Sequence, residues 1–178
     1  RQTILDTNDM FSPTVHIMTV KLLFLLSIFF DWNISALDIS NAFCQSYIPK
    51  DKRIVVKLPR SWGGQLKLLV RSLYGLRSSP RNWNKEIDQG LKKLGWVACQ
   101  KDPGLYYRVV DGEKCFLMLY VDDMMIFGPR DKPENLRTEI LEACKGRKEE
   151  PKILDNSTKV YEFLGMHITC DTKSRQVS

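Results

Sequence analysis

Apolar residues follow two kinds of pattern along the chain, namely stretches with helical spacing and short runs typical of strands. Residues 14–32 are densely apolar, and Ser12-Pro13 before them is a favourable helix start, so this stretch predicts a core helix. Residues 80–94 carry apolar side chains at helical spacing, which predicts a second helix that ends at Gly95. Residues 133–148 are charged and amphipathic and predict a third helix.

The strand signals are short β-rich runs that lie between the helical stretches. Asp111-Gly112 separates two of these runs and predicts a tight hairpin turn. Strands that are interleaved with helices and joined by hairpins predict an α+β fold. The predicted strands are residues 34–39, 53–58, 66–70, 105–110, 115–121, 124–127 and 159–169.

Composition and charge narrow the class of protein. The chain has 178 residues, of which 43% are hydrophobic and 27% are charged, as in ordinary globular domains. Its net charge of +6 favours a polyanionic partner such as nucleic acid, although many soluble domains are mildly basic.

The apolar run at residues 22–30 is shorter than the roughly 20 residues of a membrane span, and no signal-peptide cleavage site follows it. Five cysteines without CxxC spacing argue against a disulfide framework or a zinc site.

Candidate chemistry lies in three aspartates near the ends of apolar strands. Asp122 and Asp123 separate two apolar runs, and Asp38 ends another. Aspartate is costly near a core unless it is paired or metal-bound. The alternative interpretation is a hairpin turn at Asp122-Asp123 and a helix cap or a strand-end aspartate at Asp38. Three carboxylates on adjacent strand ends would instead suit Mg²⁺, which prefers hard oxygen ligands.

The flanking motifs resemble those of reverse transcriptases of the copia retrotransposon type. YVDD at residues 120–123 resembles the YxDD box, and LDISNAF at residues 37–43 resembles the first metal-binding motif. LYGLRSSPRNW at residues 73–83 is similar to the LYGLKQAPRxW segment of the copia type. FSP at residues 11–13 and FLGM at residues 163–166 match two further segments in the same order. The resemblance extends over nearly the whole chain.

The resemblance implies a polymerase palm, which is a ferredoxin-like antiparallel sheet with helices packed on one face, together with part of the fingers. Under this interpretation the chain is a single domain without thumb or RNase H. Residues 34–48 and 96–170 would form the palm. Residues 1–33 and 50–95 would form partial fingers or connection.

The resemblance also implies the roles of individual residues. Asp38, Asp122 and Asp123 would be catalytic and would hold two Mg²⁺ ions, or Mn²⁺. Phe43 would act as a steric gate against the 2′-hydroxyl of a ribonucleotide. The implied nucleotide-binding residues are Ile39, Ser40, Asn41, Ala42, Phe43 and Ser78. The implied nucleic-acid-binding residues are Arg77, Arg81, Tyr120, Val121, Phe163, Leu164 and Gly165.

Two functions stay open because the chain departs from the family pattern. Ser78 replaces a glutamine that helps to hold the incoming nucleotide, Cys44-Gln45-Ser46 replaces Leu-Asn-Gly, and the basic fingers strand upstream lies outside the chain. The first function is an RNA-directed DNA polymerase that uses dNTPs and an RNA or DNA template with primer. Other Pol segments or another chain would complete it. The second is an inactive palm that binds nucleic acid or protein. In either case we expect a cytoplasmic or nuclear location and no membrane partner.

Overall fold

The computed structural model describes residues 13–178. Phe11 and Ser12, and with them the predicted helix start and most of the FSP motif, lie outside the described residues. The described chain divides into two compact units, residues 41–87 and residues 13–40 with 88–178. We call them the smaller and the larger unit and describe each by itself.

The described residues form four α-helices and twelve strands. The helices are α1 (Ile17–Phe29), α2 (Ala42–Gln45), α3 (Ser79–Lys93) and α4 (Lys132–Ala143). The strands are β1 (Asn33–Ile39), β2 (Val55–Lys57), β3 (Leu66–Leu68), β4 (Val97–Ala98), β5 (Leu105–Val110), β6 (Glu113–Tyr120), β7 (Asp123–Gly128), β8 (Gly146–Glu149), β9 (Lys152–Ile153), β10 (Thr158–Phe163), β11 (Met166–Asp171) and β12 (Gln176–Val177). The predicted α+β class is therefore confirmed. None of the helices in this part of the chain is long and apolar enough to cross a membrane.

The larger unit is built on a six-stranded antiparallel sheet in the order β4-β5-β6-β7-β1-β8. Strands β5 and β6 pair from Val110↔Glu113 onward, so the predicted turn at Asp111-Gly112 is confirmed. Strand β7 is buried along most of its length because residues on both of its faces are apolar. The interior strands of the sheet therefore need a cover on both sides.

Different elements cover the two faces of this sheet. On one face, Ala36 and Met125 pack in a core with α1 and the four-stranded sheet β12-β11-β10-β9. On the other face, α4 contacts β1, where the Ser35 hydroxyl donates to Glu134 Oε2 at 3.3 Å. The expectation of helices on one face only is therefore wrong, because the apolar residues of β7 on both faces require burial.

Helix α1 is fixed to the connection between β4 and β5 by a buried carboxylate. Asp102, which is 4% exposed, accepts hydrogen bonds from the His16 backbone N–H at 3.1 Å and from the Thr19 hydroxyl at 2.5 Å. It also accepts from the Gly104 N–H at 3.3 Å. A Cβ at Gly104 would lie 2.0 Å from the backbone nitrogen of Val15, so only glycine permits this close approach. Asp102 thus caps the first turn of a helix whose own N-cap residue makes no side-chain cap.

Only one face of α1 is buried, which corrects the prediction of a core helix at residues 14–32. Val20, Leu23, Phe24 and Ser27 are the buried residues of the helix, whereas several large apolar residues on the outer face are exposed. The Phe24 ring packs edge-on against Phe127 with centroids 5.2 Å apart. High apolar density predicts the helix but does not show how many of its faces are covered.

The C-terminal elements differ from the prediction in two places. Helix α4 ends at Ala143, and the residues predicted to continue it to residue 148 enter strand β8 instead. Pairing of β8 with β1 supplies backbone hydrogen bonds to both strands. These bonds would be lost if the helix continued to residue 148. The predicted strand region at residues 159–169 is a hairpin of β10 and β11, paired from Thr158↔Asp171 to Phe163↔Met166.

The smaller unit holds the two-stranded sheet β2-β3, helix α2 and the first half of α3. Strands β2 and β3 confirm the two short predicted strands, with Val56 opposite Lys67. Helix α3 confirms the predicted helix at residues 80–94, and Trp83 and Ile87 are buried. Arg71 joins this unit together, since its guanidinium donates to the Gln45 carbonyl at 3.1 Å and lies 4.4 Å from the Tyr47 ring centroid.

We expect Asp102→Ala to lower the free energy of unfolding by about 2 kcal/mol, because the first turn of α1 would lose its cap and buried donors would lose their acceptor. Urea unfolding measures the change. Asp51→Ala, which removes an exposed carboxylate of the same charge, is the control and should change stability by no more than about 0.5 kcal/mol. Equal effects of the two substitutions would contradict the capping role.

Candidate functional site

The pairing of β1 with β7 brings the three predicted aspartates to one end of the large sheet. Asp38 is the cross-strand partner of Asp123, and the Ile39 N–H donates to the Asp122 carbonyl at 2.9 Å. Alternation along the strands places the Asp38 and Asp123 side chains on the same face as Ala36 and Met125. The expected convergence of the three residues is thus present in the fold.

The turn between β6 and β7 presents two of the aspartates. Tyr120 pairs with Asp123, which leaves Val121 and Asp122 as a two-residue turn. Val121 has φ 57°, a left-handed conformation that costs a β-branched residue on the order of 1–3 kcal/mol. The hairpin interpretation is therefore confirmed, since Asp122 lies in the turn and Asp123 begins the strand. The assignment of these aspartates as metal ligands stays a prediction.

Strand β8 lies unusually close to Asp38 because of Gly146. A Cβ at this position would be 2.6 Å from the Asp38 carbonyl oxygen and 2.9 Å from Leu141 Cδ2, so a larger residue would push β8 away from β1. The buried Arg137 also holds β8 in place, because its Nη1 donates to the carbonyls of Ala36 and Glu149, both at 3.0 Å.

This pairing places Arg147 opposite Asp38. Arg147 Nε lies 3.2 Å from Asp38 Oδ2, and the arginine side chain is 70% exposed whereas that of Asp38 is 19% exposed. Local sequence patterns do not predict this ion pair, because the helix predicted at residues 133–148 includes Arg147. In this structure the Asp38 carboxylate therefore has a cationic partner.

The charge around the site is strongly negative. Burial, followed by the charges of Asp122, Glu149, Asp38 and Glu162, raises the pKa of Asp123 to about 6. Burial and the Asp38 charge also raise the pKa of Asp122. Burial raises the pKa of Glu149 as well, and Asp38 adds to the effect while Arg147 opposes it.

Glu149 and Glu162 are acidic neighbours that sequence reasoning missed. A cleft of about 240 Å³ opens beside them and is bordered by Ala36 and Met125 from the sheet and by Tyr161 from the second sheet. Glu149 lies on β8, where the sequence predicts a helix. Glu162 lies on β10 and precedes residues 163–165, for which only the resemblance implies nucleic-acid binding. Their positions follow from the pairing of distant strands, which local sequence patterns do not specify.

The donor chemistry of the site fits a hard divalent cation. Asp38, Asp122 and Asp123 supply carboxylate oxygens, and their mutual repulsion would be relieved by positive charge. Among residues 13–178, however, no three Asp, Glu, His or Cys side chains are already arranged as a metal centre. Binding of a metal would therefore require rearrangement of these side chains.

The remaining predicted residues of the larger unit differ in accessibility. The N–H of Ile39 is engaged with Asp122 and the N–H of Ser40 donates to the Lys145 carbonyl at 3.0 Å, so neither is open to a phosphate in this structure. Tyr120 is 38% exposed, but Phe163 is 2% exposed and packs in the core. Leu164 and Gly165 form the turn between β10 and β11.

The other predicted residues lie in the smaller unit. Asn41, with φ 51°, precedes helix α2, in which Ala42 is buried. The Phe43 ring packs against Tyr74 with centroids 4.8 Å apart. The Ser78 carbonyl accepts from the Asn82 N–H at 3.0 Å at the start of α3. Arg77 and Arg81 are exposed.

The chain matches a known protein family over nearly its whole length. The family model described as "Reverse transcriptase (RNA-dependent DNA polymerase)" covers residues 2–178. This match confirms the resemblance inferred from the YVDD, LDISNAF and LYGLRSSPRNW segments.

Individual relatives are transposon proteins. The chain is 27% identical over 97% of its length to the retrovirus-related Pol polyprotein from transposon TNT 1-94 of Nicotiana tabacum. It is 28% identical over 74% of its length to a putative transposon Ty5-1 protein of Saccharomyces cerevisiae, and 27% identical over 70% to the Pol polyprotein from transposon RE1 of Arabidopsis thaliana. The alignments cover only 13%, 42% and 9% of those proteins, respectively.

We expect Asp123→Asn to be more stable than the wild type at neutral pH. The folded-state pKa of Asp123 is about 6 and its ordinary value is 3.8, so folding favours the protonated form. The protonated Asp123 carboxyl group therefore contributes stability below about pH 4, and this contribution is lost as the pH rises to about 6. The substitution removes this loss, and partial exposure limits the expected gain to about 1–2 kcal/mol above pH 7.

Urea unfolding between about pH 3.5 and 8 in the presence of EDTA measures this difference. The two proteins should have similar stability at the acidic end and diverge between about pH 4 and 6. Asp51→Asn, at an exposed position, should show no such divergence. A stability difference that is independent of pH would contradict the raised pKa.

Proposed function

The chain belongs to the reverse transcriptase (RNA-dependent DNA polymerase) family, and we propose that it is the polymerase palm, with part of the fingers, of a copia-type retrotransposon Pol polyprotein. The reaction would be transfer of a deoxynucleotide to a primer end. The observation that supports this most is the register that sets Asp38 opposite Asp123, with Asp122 in the adjoining turn. Aspartates that merely ended unrelated strands would not be expected to lie together at one end of a sheet.

Asp38, Asp122 and Asp123 would hold two Mg²⁺ ions, or Mn²⁺. When bound, these ions would neutralise charge on the triphosphate and activate the 3′-hydroxyl of the primer. The raised pKa of Asp123 and of Asp122 supports this proposal, because burial and the neighbouring carboxylates both disfavour the negative charge that a cation would stabilise. The strained backbone at Val121 would fix the orientation of the turn that carries Asp122.

Nucleotide and nucleic-acid contacts would come from further residues of the family motifs. Phe43 would exclude a 2′-hydroxyl, and Tyr120 would lie under the primer end. Arg77 and Arg81 are exposed cations suited to phosphate. Ser78 is shorter than the glutamine of the family segment and would hold the dNTP less strongly. Other Pol segments or another chain would supply the remaining fingers and the thumb, in the cytoplasm or the nucleus.

A second candidate function is an inactive palm that binds nucleic acid or protein. The ion pair of Arg147 with Asp38 favours it, because the arginine already neutralises one of the carboxylates that would hold a metal. The engagement of the Ile39 and Ser40 N–H groups within the backbone favours it as well. The two functions differ in whether primer extension occurs and depends on the aspartates.

We expect the chain to extend a DNA primer on an RNA template with dNTPs and Mg²⁺ or Mn²⁺. Asp38→Asn and Asp122→Asn should each lower the rate at least about 100-fold, because each removes an anionic metal ligand. Asp51→Asn, at an exposed position away from the motifs, should keep the wild-type rate.

Equal extension by the wild type and Asp122→Asn would contradict the proposed mechanism. If wild type and variants all fail to extend but bind the primer–template equally well, the inactive binding function is correct instead. Gel-shift measurements on the same preparations separate these outcomes.

A further inference from the structure

The outer face of α1 carries a continuous apolar stripe that the polymerase function does not explain. Met18, Leu22, Leu25 and Phe29 are 70%, 53%, 54% and 68% exposed. The opposite face of the helix is buried against the core. Scattered exposed apolar residues are ordinary, but four successive ones along a single helix face indicate an interaction surface. We call these four residues the α1 stripe.

The spacing of the α1 stripe is that of a helix-pairing seam. Successive members are four, three and four residues apart, as in the alternation of a and d positions between paired helices. Lys21 is the only charged residue within α1. Because the stripe itself is uncharged, it suits an apolar partner helix better than a polar or anionic ligand.

Aromatic side chains extend the surface beyond the end of α1. The Phe29 and Phe30 rings meet edge-on with centroids 5.0 Å apart, and Phe30 stacks on Trp32 at 5.4 Å. Trp32 in turn stacks on Phe116 of β6 at 5.8 Å. These contacts fix the orientation of the exposed rings, so the surface is preorganised at this end.

The exposed area matches what one partner contributes to a stable dimer. The α1 stripe and its neighbours Ile17 and Phe30 together expose on the order of 700 Å² of apolar surface. This area is larger than that of the largest apolar patch on a typical monomer. A standard interface buries about 800 Å² on each partner. Closed two-fold dimers bury the same patch on both subunits, which a self-complementary stripe permits.

We propose that α1 packs against α1 of a second copy of this chain in an antiparallel, two-fold symmetric dimer. The axis passes between Leu22 and Leu25, so that Leu22 of each copy faces Leu25 of the other. Antiparallel packing sets Met18 opposite Phe29, which pairs side chains at the two ends of the stripe. It also separates the two Lys21 charges and opposes the helix dipoles.

Sedimentation velocity on the purified chain, from about 1 to 200 µM, tests the proposal. We expect a reversible monomer–dimer equilibrium. Leu22→Glu/Leu25→Glu should raise the dimer Kd at least about 100-fold, because like charges would replace the centre of the interface. Leu66→Glu/Leu68→Glu is the matched control, since these leucines of β3 are 70% and 50% exposed. It should leave the Kd unchanged.

A charge-complementation experiment distinguishes loss of the interface from loss of the fold. Leu22→Lys/Leu25→Lys should also be monomeric, and an equimolar mixture with the glutamate variant should dimerise again. Circular dichroism of each variant should match that of the wild type, because the substituted side chains are exposed. A wild type that stays monomeric throughout, equal weakening by the β3 variant, or no dimer in the mixture would each overturn the proposal.

Discussion

The antiparallel register of β1 against β7 is the constraint on which the site depends. It sets Asp38 opposite Asp123 and brings the Asp122 carbonyl to the Ile39 N–H at 2.9 Å. Since side chains alternate between faces, a slip of one residue would send the Asp38 and Asp123 carboxylates to opposite faces. Such a slip is costly because each buried side chain of β1 would change faces and lose its packing partners. Ala36 packs in the core with α1, whereas Ser35 on the other face donates to Glu134 of α4.

The same pairing creates the electrostatic character of the site. Burial, together with repulsion between the carboxylates gathered at this sheet end, raises the pKa of Asp123 to about 6. Arg147 offsets part of this charge by its ion pair with Asp38. The structure thus has two ways to neutralise Asp38, by the arginine on β8 or by a bound cation. The polymerase and the inactive palm differ in which of these two prevails when nucleotide and nucleic acid are present.

Much of the fold follows from local sequence patterns, whereas the details of the site do not. The period of residues 80–94 and the Asp111-Gly112 turn predict elements whose stability is largely local. Three strand-end aspartates, with the flanking motifs, predict the convergence. Arg147, Glu149 and the Asp102 cap depend on pairing between distant segments, which no local pattern specifies. The exposed face of α1 was missed because apolar density alone does not show whether a partner covers it.

Direct measurement of metal binding tests the central claim that these aspartates form a cation site. Electron paramagnetic resonance of free Mn²⁺, titrated with the wild-type chain, reports binding without need for catalysis. We expect saturable binding that weakens at least about 10-fold in Asp38→Asn and in Asp122→Asn and is unchanged in Asp51→Asn. Binding that is absent in the wild type, or equal in all four proteins, would contradict the assignment of Asp38, Asp122 and Asp123 as metal ligands.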